Sequence, residues 1–370
     1  MSGFQLTNYW LLLVWLALAG IFMTYFVRTQ PTRVLGKTEQ RWPVPAAVIL
    51  AIPYIIWAAN RRDFGDTEVY RQGYADIAAG FSNIGPVIVG DGKDKGFTVL
   101  EILIKTMFGD NVVLFFFLVA TFQLLCVFLV FRHYSSHMLI SIFLFVASTD
   151  YLSWCMNGMR QFIAAAGIFA CTGLLLKKKF IPTIIVILLM STIHGTALLM
   201  LPVVFLTMGK AWNKRTVLAT IVLLIAIAYI GRFTTILQDL LQNTQYEDVV
   251  NDEIWSVDNG TSLIRVLVYS VPALLSLLGR RYIAEADDPV INLSVNMSIL
   301  SAGLYLLSAF TSGIYIGRLP IYMSLYGYIL LPWLLDHMLT RESSRVAKGM
   351  MIVLYLLFFY YQMHTAWHML

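Results

Sequence analysis

Ser191-Thr192-Ile193-His194-Gly195-Thr196 interrupts an apolar run over residues 180–208. That run is too long for one untilted helix across a bilayer, which needs about 20 residues. Six basic clusters surround it along the chain: Arg28/Arg33/Lys37/Arg41, Arg132, Lys177/Lys178/Lys179, Lys210/Lys214/Arg215, Arg280/Arg281 and Arg341/Arg345/Lys348. If 180–208 crosses once, the third and fourth clusters fall on opposite faces of the membrane. If it is a re-entrant hairpin turning at His194, all six fall on one face, and 16 of the 26 Lys and Arg residues are cytoplasmic. Positive charge marks the cytoplasmic side, so the hairpin is the expected form, with both termini outside. Such a turn is tolerated at membrane depth only where it is buried in protein or lines a cavity. His194 is thereby placed at a candidate site.

Composition bounds the class. The chain of 370 residues is 59% hydrophobic and 13% charged, with a mean hydropathy of +0.73. That much apolar surface cannot be hidden in a soluble domain. The net charge of +5 comes from short inter-helix clusters, and no nucleic-acid partner is read from it. Cys126, Cys155 and Cys171 lie in apolar spans without a CxxC pair, which argues against disulfides and a thiolate metal site. Leu6 to Phe26 reads as a first transmembrane helix, too long for a signal-peptide core and lacking a basic lead.

Ten full spans are expected, near 8–27, 43–59, 112–131, 138–157, 159–176, 216–233, 263–278, 291–310, 318–336 and 349–366. With the hairpin they make an all-α polytopic protein with a single transmembrane domain, 1–370. Two external segments remain. In 60–111, residues 68–81 suggest an amphipathic interfacial helix with Val69, Tyr70, Tyr74, Ile77 and Phe81 on one side. A glycine-rich turn and a partly buried segment, Phe97 to Met107, follow it. The other, 234–262, is acidic and reads as a flap over the outer opening.

Charges at membrane depth cost several kcal/mol, roughly 2.5 to 3.5 for arginine on insertion scales, and usually face a wet cavity that binds something. Arg160 opens the fifth span beside Gln161, where helix N–H groups and a guanidinium can grip one anion. Its bland alternative is an arginine snorkelling to headgroups. Tyr151, Trp154, Asn157 and Gly158 before it suggest a broken, cavity-lining segment. Arg318 starts the ninth crossing from the same outer side, and Arg265 is a further cation early in the seventh. His194 suits phosphate binding, sugar positioning or proton transfer, against the alternative of a hydrogen-bonded core histidine. Arg61-Arg62-Asp63-Phe64-Gly65-Asp66 begins where the second span meets the outer surface. A carboxylate there can act as a base beside phosphate-holding arginines, or the arginines can be anchors and the aspartates helix caps. No Walker A, GxSxG or HExxH pattern is present.

At these residues the chain resembles the EpsG family of Wzy-type exopolysaccharide polymerases. The resemblance lies in Arg62-x-x-Gly65-Asp66-x-x-x-Tyr70, Lys95-Gly96-Phe97-x-x-Leu100, Asn157-Gly158-x-Arg160-Gln161-x-x-Ala164 and His194. It implies a GT-C-like helical fold in a bacterial inner membrane. The implied reaction joins undecaprenyl-diphosphate-linked oligosaccharide repeats on the periplasmic or outer face. It further implies a chain-length regulator and a flippase of the same pathway as partners, with no cofactor. On this view Asp66 or Asp63 is the base, Arg160 and Arg318 hold diphosphate, and His194 positions phosphate or sugar. Arg62 and Tyr70 support the loop, with Gln161 and Arg265 as further substrate contacts. The loop 82–95, with Gly90-Asp91-Gly92-Lys93-Asp94, is distinctive to this chain and suggests a substrate-specific element. The rival readings are a GT-C transferase adding one sugar from a polyprenyl phosphate, and a flippase or transporter of lipid-linked sugars. The latter predicts internal repeats, of which the sequence has none.

Overall fold

The computed structural model describes residues 8–229 and 260–369. Its helices run in chain order as α1 Trp10–Phe26, α2 Val44–Ala59, α3 Thr67–Asp76, α4 Ile84–Val89, α5 Lys95–Phe108, α6 Val112–Tyr134 and α7 Met138–Ala147. After a π-helical turn, Tyr151–Asn157, come α8 Met159–Ala170, α9 Thr172–Leu176, α10 Phe180–Ile193, α11 Met200–Thr207 and α12 Lys214–Ala228. Then come α13 Leu263–Leu278, α14 Arg280–Ala286, α15 Pro289–Ala309, α16 Ile321–Met338 and α17 Arg341–Thr365. The protein is all-α and membrane-like, with one addition among the described residues. The basic stretch between α1 and α2 forms an antiparallel hairpin, β1 Gln30–Val34 paired with β2 Lys37–Arg41. It turns at Leu35-Gly36, both at positive φ, as a two-residue hairpin turn demands.

Helices stand at all ten stretches expected to cross, although residues 230–233 of the sixth lie outside the described residues. Among the described residues, four helices are long and apolar enough to cross alone: Val112–Tyr134, Met159–Leu176, Pro289–Ala309 and Arg341–Thr365. The count rises to six if two bent pairs each form one span. Residues 138–157, expected as one continuous span, are one of these pairs, bent by 74°. Thr149 at φ 65 turns the chain there, a left-handed conformation that stops a helix. The break in 180–208 falls where the sequence predicts. Helix α10 ends at Ile193, His194 is extended at φ −156 and ψ 117, and a 3-10 turn Gly195–Leu199 leads into α11. Most of the expected acidic flap lies outside the described residues.

A single domain is the expectation from sequence; the described chain clusters into two compact units, 1–198 with 339–370, and 199–338. In the second, α12, α13 and α16 pack on α15. Its core joins Ile291, Val295 and Ile299 to Ala273, Leu330, Trp333 and Leu334. Two buried asparagines on α15 hold the segment after α11. Asn296 donates to the carbonyls of Thr207 and Lys210 and accepts from the Trp212 N–H, while Asn292 accepts from Ala211. These bonds satisfy backbone groups that lipid cannot.

The first unit is built on α6. Asn111 caps it, accepting from Leu114 N–H at 3.1 Å, and Arg132 and His133 stand in its last turn, where cations meet the negative end of the helix dipole. Helices α2 and α8 pack along α6, α10 packs on α8, and α5 packs on α10. An aromatic cluster closes the N-terminal half of α6: Tyr70, Tyr74, Phe97, Phe115, Phe116 and Met159. Tyr74 stacks on Phe115 at 4.5 Å, and Phe97 meets the same ring edge-on at 6.2 Å. Helix α3 therefore corrects the interfacial reading of 68–81. It ends at Asp76, buries Tyr70 and Tyr74 in protein, and leaves Val69 and Phe81 exposed.

The approach of α5 to α10 depends on Gly96. A Cβ there would lie 2.8 Å from Thr192 Cβ and 2.9 Å from the Thr192 backbone carbon, closer than such atoms sit. A Gly96→Ala chain must part the two helices, at a cost of about 1–3 kcal/mol. We expect the purified variant to unfold several degrees below wild type, with Gly92→Ala, which meets no neighbour within 4 Å, nearly unchanged.

Candidate active site

Arg160, His194 and Tyr70 come from three separate helices or their ends, and one carboxylate joins the first two. Asp94 stands immediately before α5 in the left-handed region, φ 51 and ψ 41, which aspartate tolerates better than most residues. Its Oδ2 lies 3.1 Å from an Arg160 guanidinium nitrogen and 3.2 Å from Nδ1 of His194. Its Oδ1 accepts from Gly195 N–H at 3.4 Å. The Asp94 side chain is only 9% exposed, whereas that of Arg160 is 42% exposed. The carboxylate is thus a buried strut and the guanidinium an accessible head. A carboxylate acceptor puts the proton of His194 on Nδ1 and leaves Nε2 for another partner.

The other neighbours of Arg160 are aromatic. Its guanidinium carbon lies 6.0 Å from the Tyr70 ring centre and 5.8 Å from that of Phe97, and it hydrogen-bonds Tyr70. Burial raises the Tyr70 phenol above its usual range, and Arg160 opposes the rise; the group stays a neutral donor at pH 7. Arg160 lies in the first turn of α8, where backbone N–H groups have no intrahelical acceptor. Gln123 on α6 fixes this helix start by donating to the Met159 carbonyl at 3.0 Å. Gln161 donates to Thr196 at 3.3 Å, tying α8 to the turn after His194.

Asp66 precedes α3 without capping it through its side chain. Its own N–H donates to Asn157 Oδ1 at 2.8 Å, and its charge reaches the Tyr70 phenol. The contact explains Gly65, which sits at φ +52 and whose missing Cβ would overlap the Asn157 side chain. The loop bearing Asp66 is thereby pinned to the residue three before Arg160. Asp63 is exposed and ion-paired with Arg71. Arg62 is half-buried and acts electrostatically on Tyr9. Arg265 and Arg318 belong to the unit 199–338. There the Arg265 guanidinium lies 5.5 Å from the Tyr269 ring centre, and Arg318 ends a 3-10 turn, Ile316–Arg318.

Two charged residues here, Asp94 and Glu101, escape the sequence reading of site roles, and the fold decides the place of a third, Arg61. Asp94 follows a polar loop and stands directly before Lys95-Gly96-Phe97, which is the signal that points to it. Glu101 lies one turn beyond Phe97 on α5, 5% exposed. Burial raises its carboxyl to about 7, with Arg160 pulling it back. Arg61, which the sequence leaves open as a phosphate-holding arginine or an interface anchor, is 1% exposed. Its guanidinium lies 3.7 Å from the Phe116 ring centre and 3.6 Å from Met159 Sδ. Its Nε has no partner. Burial lowers it to about 10, so it remains charged at neutral pH. The charges lining this region are therefore unequally fixed: two permanent cations, one buried aspartate, and a glutamate that ionises near neutrality.

A model of the EpsG family matches residues 46–369. The chain belongs to the EpsG family. The match takes in Asp66, Tyr70, Asp94, Arg160 and His194 and covers nearly the whole chain. Membership associates the protein with polysaccharide polymerase or glycosyltransferase-type activity at a membrane. No curated protein and no solved structure matches the chain.

The Glu101 carboxyl carries a pH signature. It ionises near 4.5 in the unfolded chain and near 7 in the fold, so ionisation disfavours the folded form. Its contribution to stability is full below about pH 4.5 and declines as pH rises through 7. Glu101→Gln abolishes that decline, worth at most about 3 kcal/mol at alkaline pH. Melting curves at pH 5 and pH 8 test this: the variant should gain on wild type far more at pH 8 than at pH 5.

Proposed function

We propose that the chain polymerises undecaprenyl-diphosphate-linked oligosaccharide repeats into a surface or exopolysaccharide. The observation that carries this reading is the half-exposed Arg160 at a helix start, held by the buried Asp94 beside His194. A diphosphate at that place meets a guanidinium, the positive end of the α8 dipole and the Tyr70 hydroxyl. All of these favour negative charge as the glycosidic bond to diphosphate breaks. Asp94 already balances Arg160, so the guanidinium is not an isolated buried cation, and an arriving phosphate adds bonds to its accessible face. His194, with Nδ1 fixed by Asp94, presents Nε2 to phosphate or a sugar hydroxyl.

In this mechanism the acceptor hydroxyl loses its proton to a carboxylate as its oxygen attacks the anomeric carbon, and lipid diphosphate leaves with the bonding pair. Asp66 is the base assigned from the loop motif, with Asp63 as the alternative from the same loop. The ion pair of Asp63 with Arg71 favours Asp66. Glu101 is a further candidate, because a carboxyl near 7 is poised for proton transfer at neutral pH. Arg62, Tyr70 and Gln161 shape the donor side. Arg265 and Arg318 keep the substrate-binding assignment made from sequence, in a ten-span, GT-C-like fold with 180–208 re-entrant and Arg160 toward the periplasm. A chain-length regulator and a flippase complete the pathway around it.

The glycan profile of cells carrying Arg160→Ala, beside wild type and a deletion strain, tests the reading. We expect long polymer to fall by 100-fold or more (about 3 kcal/mol for a lost electrostatic stabiliser), with single lipid-linked repeats accumulating. Accumulation of unfinished, sub-repeat glycans would replace the polymerase with a single-sugar transferase. Normal polymer at normal protein level would remove Arg160 from the mechanism.

A further inference from the structure

A cationic cavity lies at the far end of α6. Phe116, at the level of the candidate site, and Arg132 are 16 residues apart on that helix, about 24 Å at the helical rise. The cavity is about 240 Å³ and is lined by Arg41, Arg132, Ser135, Ser136, His137 and the first turn of α7. No lining residue is acidic. The β-hairpin builds one wall. Arg132, 6% exposed, donates to the carbonyl of Trp42 at 2.6 Å and to Thr32 Oγ1 at 3.1 Å. Arg41 donates to the carbonyl of His133 at 3.2 Å and pairs with Glu39. Lys348 of α17 donates to Nε2 of the lining residue His137 at 3.0 Å.

Three features converge on one ligand chemistry. Arg41 and Arg132 both line the cavity and donate to backbone carbonyls, and its lining holds no carboxylate. The start of α7 adds N–H groups without intrahelical acceptors and the positive end of a helix dipole. Ser136 stands beside them, while the Ser135 hydroxyl is bonded to Ser141 Oγ and the His137 N–H and so fixes the turn. Together these suit a phosphate ester. The neighbouring surface is lipid-like: a groove of about 500 Å³ on α1 and α2 is lined by Leu18, Phe22, Val27, Pro43 and Ile49. Met23 and Pro43 of the groove are chain neighbours of Thr24 and Trp42 of the cavity.

We propose that this cavity binds the phosphate headgroup of an anionic phospholipid, with an acyl chain along the α1–α2 groove. Headgroup pockets between helices on the basic side of a membrane protein are a recurrent solution. The site is independent of the polymerase reading, since it lies about 24 Å along α6 from it and shares no residue with it.

Native mass spectrometry of the full-length protein in detergent tests this. The protein is equilibrated with equal amounts of phosphatidylglycerol and phosphatidylcholine of matched chains. Wild type should retain phosphatidylglycerol about tenfold better, and Arg41→Gln with Lys348→Gln, which removes two cations, should abolish the preference. Arg281→Gln, in another basic cluster, should leave it intact. Equal retention of both lipids by wild type, which needs no substitution, would overturn the proposal. An unchanged preference in the double variant, or equal loss with Arg281→Gln, would do so too. Displacement of the lipid by millimolar inorganic phosphate, with the ion seen bound in its place, would also overturn it, since the site would then serve a free anion.

Discussion

The Asp94 carboxylate decides whether an arginine can stand among apolar helices and still be offered to a ligand. Without it, Arg160 is an unbalanced cation at a helix start, and in a low dielectric that is costly enough to redirect the side chain. With it, the charge is answered from the buried side and the guanidinium keeps its outer edge open. The same oxygen sets the ring of His194, so one group from the start of α5 controls both a cation and an imidazole. Its position is secured by Gly96, which lets α5 touch the end of α10, and by the Gly195 N–H.

The broken helices around this point obey the rule that lipid offers no hydrogen bonds. His194 leaves its helix, and the polar groups nearby turn to protein partners: Asp94 for His194 and Gly195, and Thr196 for Gln161. The π-helical turn before Arg160 behaves alike. Asn157 accepts from Asp66, and Gly158 donates to Ser153. Irregular backbone is therefore concentrated where the candidate-site side chains emerge, and the long regular helix α6 acts as the rail on which its neighbours α2 and α8 pack. That rail also separates two regions of positive charge by about the thickness of the apolar core, one at the candidate site and one at the hairpin.

Arg61 and Glu101 show why a charged residue's role cannot be read from its type alone. Arg61 and Arg62 are adjacent in sequence, yet one is packed between Phe116 and Met159 and the other is half-exposed. Glu101 is an ordinary helical glutamate until burial near Arg160 moves its ionisation to about 7. Each depends on what the aromatic cluster of α3, α5 and α6 excludes.

Local chemistry determined much of this protein. Apolar runs specified helices at all ten expected stretches, His194-Gly195 specified a break, and the motif residues around Asp66, Arg160 and His194 were legible because their order along the chain is distinctive. The hairpin at Leu35-Gly36 was missed, since its strands are short and polar and no apolar alternation marks them. The bend at Thr149 was hidden within a continuous apolar run, where composition does not report a backbone dihedral. What only the tertiary structure decided is pairing across the chain. Asp94 meets His194 at a separation of 100 residues, and nothing local to either residue encodes that distance. Helix packing, and the glycine that permits it, brings them into contact.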